Sequence, residues 1–498
     1  MATAVSSVNP AAATEHTRDP IHHHQEASPA PASAPAASDE QLEHPTAAQI
    51  LLENFTLPTF PEKASGLQAL TLTSDIKPTE YADLLSPTAS DLNTISSIPQ
   101  GIEALTLELF SLGYPPLFLT KLSKALPKLK TLTLYSQLVD GVSDGSRKDA
   151  GEFFTNVLVG KKENGGGLRE LHLLDTFCRK GFVAGLGGIL EDLHATGTAA
   201  GSQEGASSKS VLRFLEVSYT YRGHSDSNFL ARIPGDELPT MLVPSLIAAS
   251  FSLAAPVSRN SSGTTSELPD DPADVDENGV PIPGRKPEGI IPLPQTNPGV
   301  AILMRKLTGE GGEKSEEKTA TKDETNKEKH DGKDKEKSPA YRPGSGPGPR
   351  NLKMLDATIY TLDTNQLASI VRAQQGLAVL SASVLVSGTE ASKASLLEAL
   401  RGGKDGSSGK DLEIVEIVGV PDGFEQESSD STNTSSPKEE QLHNVFPSAS
   451  DMADLSAHLP RLESFKMTML RAKSFGTVEW NRSADGKWTG GVTKESQP

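Results

Sequence analysis

Leu129-Lys-Thr-Leu132-Thr-Leu134 and Leu168-Arg-Glu-Leu171-His-Leu173 share one pattern, three apolar positions separated by two residues and then by one. Toward the N-terminus it recurs as Leu67-Gln-Ala-Leu70-Thr-Leu72 and Ile102-Glu-Ala-Leu105-Thr-Leu107, and toward the C-terminus as Leu212-Arg-Phe-Leu215-Glu-Val217 and Leu246-Ile-Ala-Ala249-Ser-Phe251. After a long polar stretch it resumes as Leu352-Lys-Met-Leu355-Asp-Ala357, Leu377-Ala-Val-Leu380-Ser-Ala382, Leu412-Glu-Ile-Val415-Glu-Ile417 and Leu462-Glu-Ser-Phe465-Lys-Met467, ten copies in all. The last two apolar positions of each copy alternate with a polar one, the two-residue period of a half-buried strand.

Between copies the period lengthens. Leu122, Ala125 and Leu126, or Leu367, Ile370 and Val371, fall at helical spacing, as do apolar residues in 395–400 and 454–459. A strand followed by a helix cannot bury its apolar face alone, so each unit needs its neighbour and the chain must stack.

The pattern resembles the Leu-x-x-Leu-x-Leu core of leucine-rich repeats, in particular the long, helix-containing kind of ribonuclease-inhibitor-like and F-box-associated proteins. The resemblance covers roughly residues 46–469 apart from the polar stretch, and it departs from the family in two ways. Successive copies begin at residues 67, 102, 129, 168, 212 and 246, intervals mostly longer than the family's 20 to 29 residues. Where the family carries a ladder Asn or Cys stand Asp75, Phe110, Gln137, Thr176 and Thr220, so no side-chain ladder is expected. The expected fold is therefore α/β: an irregular leucine-rich-repeat-like solenoid of parallel strands and helices, with long disordered insertions and a C-terminal β-hairpin.

Composition divides the chain. With 43 Gly and 35 Pro in 498 residues, much of it is expected to lie outside a core. Residues 1–45 read as a disordered tail: six prolines and Arg18 alone argue against a mitochondrial presequence, and no apolar run resembles a signal peptide. The first half of the stack is expected over 46–257 and the second over 349–498, the latter with a polar loop at 425–440 and a hairpin at 477–489. The stretch 258–348 reads as an insertion. From Glu310 to Ser338 it holds ten acids and eight lysines, too mixed to fold and too balanced for a basic patch. Within it only Val300–Leu307 resembles a helix. The charge-free run Leu238–Val257 is broken by Pro239, Pro244 and Pro256, which favours a buried segment over a membrane span. For the hairpin, a three-residue turn with left-handed Gly486 would place Trp480 and Trp488 on one face, where they could cover the end of the stack.

A net charge of −18 argues against nucleic acid and anionic membranes as partners. One cysteine, Cys178, excludes a disulfide framework and a cysteine-based zinc site. Gly185, Gly187 and Gly188 lack the spacing and the Lys-Ser/Thr of a phosphate loop and read as turns or caps. His22-His23-His24 supplies too few fixed ligands for a metal site. Cys178 and His172 invite a nucleophile–base reading, but His172 should face away from the core and Cys178 into it. No cofactor is expected, and an enzyme is disfavoured.

What remains is the open face of the strands. Its central positions read Thr71, Thr106, Thr133, His172, Glu216, Ser250, Asp356, Ser381, Glu416 and Lys466. Large aromatics anchor protein interfaces, so Tyr135, Glu170, His172, Phe214, Glu216, Tyr219 and Tyr221 form the candidate protein-binding face. Ser338 and Ser436, each followed by Pro, are candidate phosphoacceptors in polar loops. The expectation is an intracellular, non-enzymatic scaffold or adaptor in cytoplasm or nucleus, with protein partners. A ubiquitin-ligase substrate receptor, implied by the F-box-associated resemblance although no F-box module precedes the first copy, and a small-GTPase regulator are the alternatives.

Overall fold

In the computed structural model the described residues are 46–74, 76, 92–160, 167–199, 212–220, 229–254, 292–309, 344–403, 408–422, 444–470 and 477–493. The ten sequence copies become strands β2 (Ala69–Ser74), β3 (Ala104–Glu108), β4 (Thr131–Leu138), β5 (Glu170–Phe177), β6 (Phe214–Thr220), β7 (Ala248–Ala254), β8 (Met354–Leu362), β9 (Val379–Val386), β10 (Ile414–Pro421) and β11 (Ser464–Met469). Ahead of them stands β1 (Ala47–Leu52), whose Ala-Ala-Gln-Ile-Leu-Leu does not carry the three-apolar pattern. Among the described residues the sheet has 13 strands in chain order. All neighbours from β1 to β11 are parallel, and β12 (Thr477–Arg482) and β13 (Trp488–Thr493) close it antiparallel.

Helices fill the connections: α1 (Phe118–Ala125), α2 (Asp144–Val159), α3 (Phe182–Ala199), α4 (Pro298–Thr308), α5 (Thr364–Ala373), α6 (Glu390–Leu400) and α7 (Ala449–His458). Their starts are written locally. Ser143, Asp363 and Ser448 each form a reciprocal cap with the residue three positions on, and Asn297 caps α4 ahead of Pro298. From α1 to α6 consecutive helices pack on one another, with the 3-10 turn Leu238–Met241 between α3 and α4, to make one layer against the sheet. The arrangement is an α/β, solenoid-like stack.

One backbone device repeats at every step. The residue after the first apolar position donates its N–H to the carbonyl of its counterpart one unit earlier: Lys130 to Glu103 at 2.8 Å, Arg169 to Lys130 at 2.7 Å, Lys353 to Ile247 at 2.7 Å, Glu463 to Glu413 at 2.8 Å. The pair Lys353–Ile247 joins the two halves of the stack, so the polar stretch between them leaves the register intact. All three apolar positions of each copy are buried between sheet and helices, as for Leu129, Leu132 and Leu134 or Leu412, Val415 and Ile417. Each such Leu, Ile, Val, Phe or Met side chain contributes about 1.5–3 kcal/mol.

Several expectations need correction. Residues 292–309, read as part of a disordered insertion, fold into the stack: Val300, Leu303 and Leu307 of α4 are in the core, and Leu293 bridges Tyr360. Gly185, Gly187 and Gly188 lie inside α3, not in turns; a Cβ on Gly187 would come within 2.3 Å of the Thr240 side chain, so glycine lets α3 approach the 238–241 turn. A side-chain ladder, expected to be absent, is partly present. Gln137 Nε2 donates to the Leu107 carbonyl at 2.9 Å and Thr176 Oγ1 to that of Leu134 at 3.0 Å, each one unit back. Ser383 Oγ does the same to Thr358 at 2.7 Å. The ladder positions turn inward because Leu109, Ser136 and Asp175, just before Phe110, Gln137 and Thr176, adopt φ of +64°, +51° and +48°. A left-handed residue reverses the strand's alternation, and the polar side chain that follows must then find a partner inside.

The run Leu238–Met241 is the 3-10 turn and Ala248–Ala254 is β7, with Leu238, Met241, Leu242, Leu246 and Phe251 buried. Among the described residues no helix is long and apolar enough to cross a membrane. The hairpin uses the three-residue turn: Ser483 N–H reaches the Lys487 carbonyl at 2.8 Å, Gly486 has φ +80°, and the register puts Trp480 and Trp488 on one face. Trp480 is buried, its Nε1 donating to the Pro447 carbonyl at 2.9 Å, and Trp488 packs against the same core.

Candidate functional site: the open face of the sheet

The parallel register turns the central position of each copy into one row crossing the sheet. Gln49, Thr71, Thr106, Thr133, His172 and Glu216 are successive partners, followed by Ser250, Asp356, Ser381, Glu416, Lys466 and Glu479. Glu416 and Lys466 are exposed, Ser250 is buried at 6%, and most of the others are half-buried. Neighbouring strands lie about 4.8 Å apart, so polar groups along the row interact across strands.

Nδ1 of His172 lies 2.7 Å from Oε2 of Glu216. A carboxylate only accepts, so the imidazole donates from Nδ1. The Phe214 ring stands 5.2 Å from the imidazole, centre to centre. Two strands on, Ser250 Oγ donates to Asp356 Oδ2 at 3.2 Å, and Thr358 donates both its N–H (2.9 Å) and its hydroxyl (2.7 Å) to Oδ1. Burial pushes the Asp356 carboxyl above the ordinary carboxylate value, the three donors oppose it, and the charge of Glu416 adds to the rise. Nearer the N-terminal edge, Gln49, Thr73 and Glu108 form a chain of bonds, and Thr131 donates to Glu170 at 3.0 Å.

Of the candidate contact residues, Tyr135, Glu170, His172, Phe214 and Glu216 gather on β4 to β6 of this face. Tyr135 and Glu170 are exposed, and the other three are half-buried. Tyr219 does not join them. It is 1% exposed, its hydroxyl donates to the Thr176 carbonyl at 3.1 Å, and burial raises its pKa well above the usual value. Its parity is that of Leu215 and Val217, so it points into the core. Tyr221, Ser338 and Ser436 lie outside the described residues, as do the 1–45 tail, the 425–440 loop and the three tail histidines.

A row that sequence reasoning passed over runs beside the central one. Phe214, Ala248, Met354, Val379 and Ile414 are successive partners at the starts of β6 to β10. All are half-buried except Ile414, which is exposed. The signal was available: each stands immediately before the middle apolar residue of its copy.

At the carboxyl ends of β4 and β5 lies a cavity of about 540 Å³, with Ser136, Asp175, Cys178, Lys180, Arg232 and Glu237 in its wall. Two of its carboxylates are tied to backbone amides, and Asp236 faces Lys180. Asp175 Oδ1 accepts from Thr220, and Glu237 accepts from Gly181 and Ala184 at the start of α3. Burial, then the charges of Asp140 and Glu237, push the Cys178 thiol up to about 12. Cys178 is half-buried in this wall while His172 stands in the outward row, so the two do not form a nucleophile–base pair. Among the described residues no group of three His, Cys, Asp or Glu could hold a metal ion.

No known family model matches the chain, and no curated protein matches it.

Proposed function

We propose that this protein is a non-enzymatic protein-binding scaffold built on leucine-rich-repeat-like units, and that the open face of its sheet is the surface it offers. The observation that carries the reading is the in-register row from Gln49 to Glu479, whose outward side chains form one continuous strip while every connecting helix described packs on the side of the buried apolar triads. A rigid array that presents chosen side chains at fixed spacing binds a partner without reordering itself, which lowers the entropic cost of association. The aromatic and charged cluster Tyr135, His172, Phe214 and Glu216 supplies anchors of the kind that dominate interface energetics.

The test uses the full-length chain as bait in its own cells, beside a Phe214→Glu/Glu216→Lys variant shown by circular dichroism to keep its fold. A stoichiometric protein companion held by the parent and lost by the variant is the expected result. A companion held equally by both, or saturable turnover of a small molecule by the purified chain, would overturn it. Recovery of a ubiquitin-ligase adaptor or of a small GTPase would assign the scaffold to one of those pathways.

A further inference from the structure

Between β6 and β10 the open face has a chemical bias that no single copy reveals. Its central row carries three carboxylates, Glu216, Asp356 and Glu416, alternating with Ser250 and Ser381. The outward positions of these five strands contain no Lys or Arg. Among the described residues His172 stands beside Glu216 at one side of the run and Lys466 beside Glu416 at the other, while the exposed Arg213 and Lys353 immediately precede Phe214 and Met354. Parallel to the acidic row runs the apolar one, Phe214, Ala248, Met354, Val379 and Ile414. An apolar stripe beside a row of carboxylates with no Lys or Arg among them is the complement of a segment with an apolar stripe beside a row of cations.

The spacing selects the form of that segment. Five adjacent strands span about 19 Å at 4.8 Å per strand. Side chains on one face of an extended peptide recur about every 6.8 Å, out of step with the strands, and the interior of a sheet offers such a peptide no free backbone groups. A helix rises about 4.5 Å over three residues and 6 Å over four, so its i, i+3, i+7 positions keep pace, and about 13 residues cover the distance. The chain's own lysine-rich stretch, 310–338, has the cations but almost no apolar residues, so it lacks the stripe.

We infer that the face of β6 to β10 is a docking site for an amphipathic helix of a partner protein, its apolar stripe on the row from Phe214 to Ile414 and its Lys or Arg residues on Glu216, Asp356 and Glu416. This rests on the scaffold reading and narrows it to a class of partner. A cation seated over Ser381 would lie between Asp356 and Glu416 and relieve their mutual repulsion, which gives the site an electrostatic reason to prefer an occupied state.

The probes are two fluorescein-labelled 14-residue helical peptides of identical Leu pattern, one with Lys and one with Glu at the polar positions. They are titrated by anisotropy at 0.15 M salt against the full-length chain. Two triple variants are compared: Glu216→Gln/Asp356→Asn/Glu416→Gln on the face, and Asp144→Asn/Glu152→Gln/Glu390→Gln on exposed helix positions. The expected result is binding of the Lys peptide alone, weakened about tenfold or more by the face variant and less than twofold by the helix variant. Equal weakening by both triples would mean adventitious attraction to an acidic protein and overturn the inference, as would equal binding of the Glu peptide. The failures are separable. A cellular companion lost on Tyr135→Ala/His172→Ala but kept by the face triple would leave the scaffold reading standing and remove this one.

Discussion

Nε2 of Gln137 donates to the backbone carbonyl of Leu107 at 2.9 Å while its Oε1 accepts the Tyr114 hydroxyl, so one buried amide joins two units and a connecting loop. Gln137→Leu would keep the volume and strand both partners. The expected cost is about 2–4 kcal/mol, since each buried polar group left unpaired costs about 1–3 kcal/mol. Adding Tyr114→Phe should recover part of it by removing the stranded hydroxyl. Urea denaturation with an unchanged m-value checks both; additive losses in the double variant would refute the coupling.

Asp356 gives a pH signature. Its folded carboxyl lies above the ordinary value of 3.8, chiefly through burial. The folded state therefore holds this proton in a pH range where the unfolded state has released it. The ionised form is a penalty present in full above the folded pKa and relieved as pH falls toward 3.8. Asp356→Asn, which keeps an acceptor for Thr358, should be more stable than the parent at pH 7, and the gap should close on acidification through that window. Parallel stability curves for the two proteins would disprove this.

Gly299 opens α4 against the loop before it. A Cβ there would sit 2.0 Å from the Gly235 carbonyl, the oxygen to which the Tyr360 hydroxyl donates at 2.7 Å. Gly299→Ala must displace the helix, at a cost of about 1–3 kcal/mol for a forced backbone shift. Thermal unfolding reads it, and an unchanged midpoint would show that α4 is free to move.

The two tryptophans of the hairpin should differ. Trp480→Ala removes a buried ring and its bond to Pro447, an expected loss of about 3–5 kcal/mol. In a stack of nearest-neighbour contacts that loss should appear in hydrogen exchange at β11 to β13 and leave β2 to β5 protected. Among the described residues Nε1 of Trp488 meets no acceptor, so Trp488→Phe should cost little. Uniform loss of protection along the sheet would contradict a stack with local contacts.

With its thiol near 12 in place of 9.0, Cys178 holds about a thousandfold less thiolate at neutral pH than a free cysteine. Iodoacetamide should label it at a rate that rises only when denaturant opens the chain. Rapid labelling of the native protein would show that the wall of the 540 Å³ cavity is not closed over the sulfur.

Much of this was readable in the chain. The apolar triads, from Leu67 to Met467, marked ten strands because inward and outward neighbours alternate with a period of two, and 3.6-periodic segments such as that of Leu367, Ile370 and Val371 marked helices between them. Asp485-Gly486 marked the turn, since glycine alone enters the left-handed region freely. Strand β1 was silent because its burial is borrowed from β2. Helix α4 was hidden by the Pro-rich and charged composition around it.

Local pattern sets which residues pair with water and which with the core, because that choice depends on neighbours two positions away in a strand and three or four in a helix. Residues far apart in the chain become partners only when the sheet forms. The left-handed kinks at Leu109, Ser136 and Asp175 turn Gln137 and Thr176 into the core, though nothing local distinguishes those residues from surface ones. Stacking also puts Phe214 beside Ala248 and Ala248 beside Met354, across 106 residues of chain, so that one apolar row and one acidic row exist only in three dimensions.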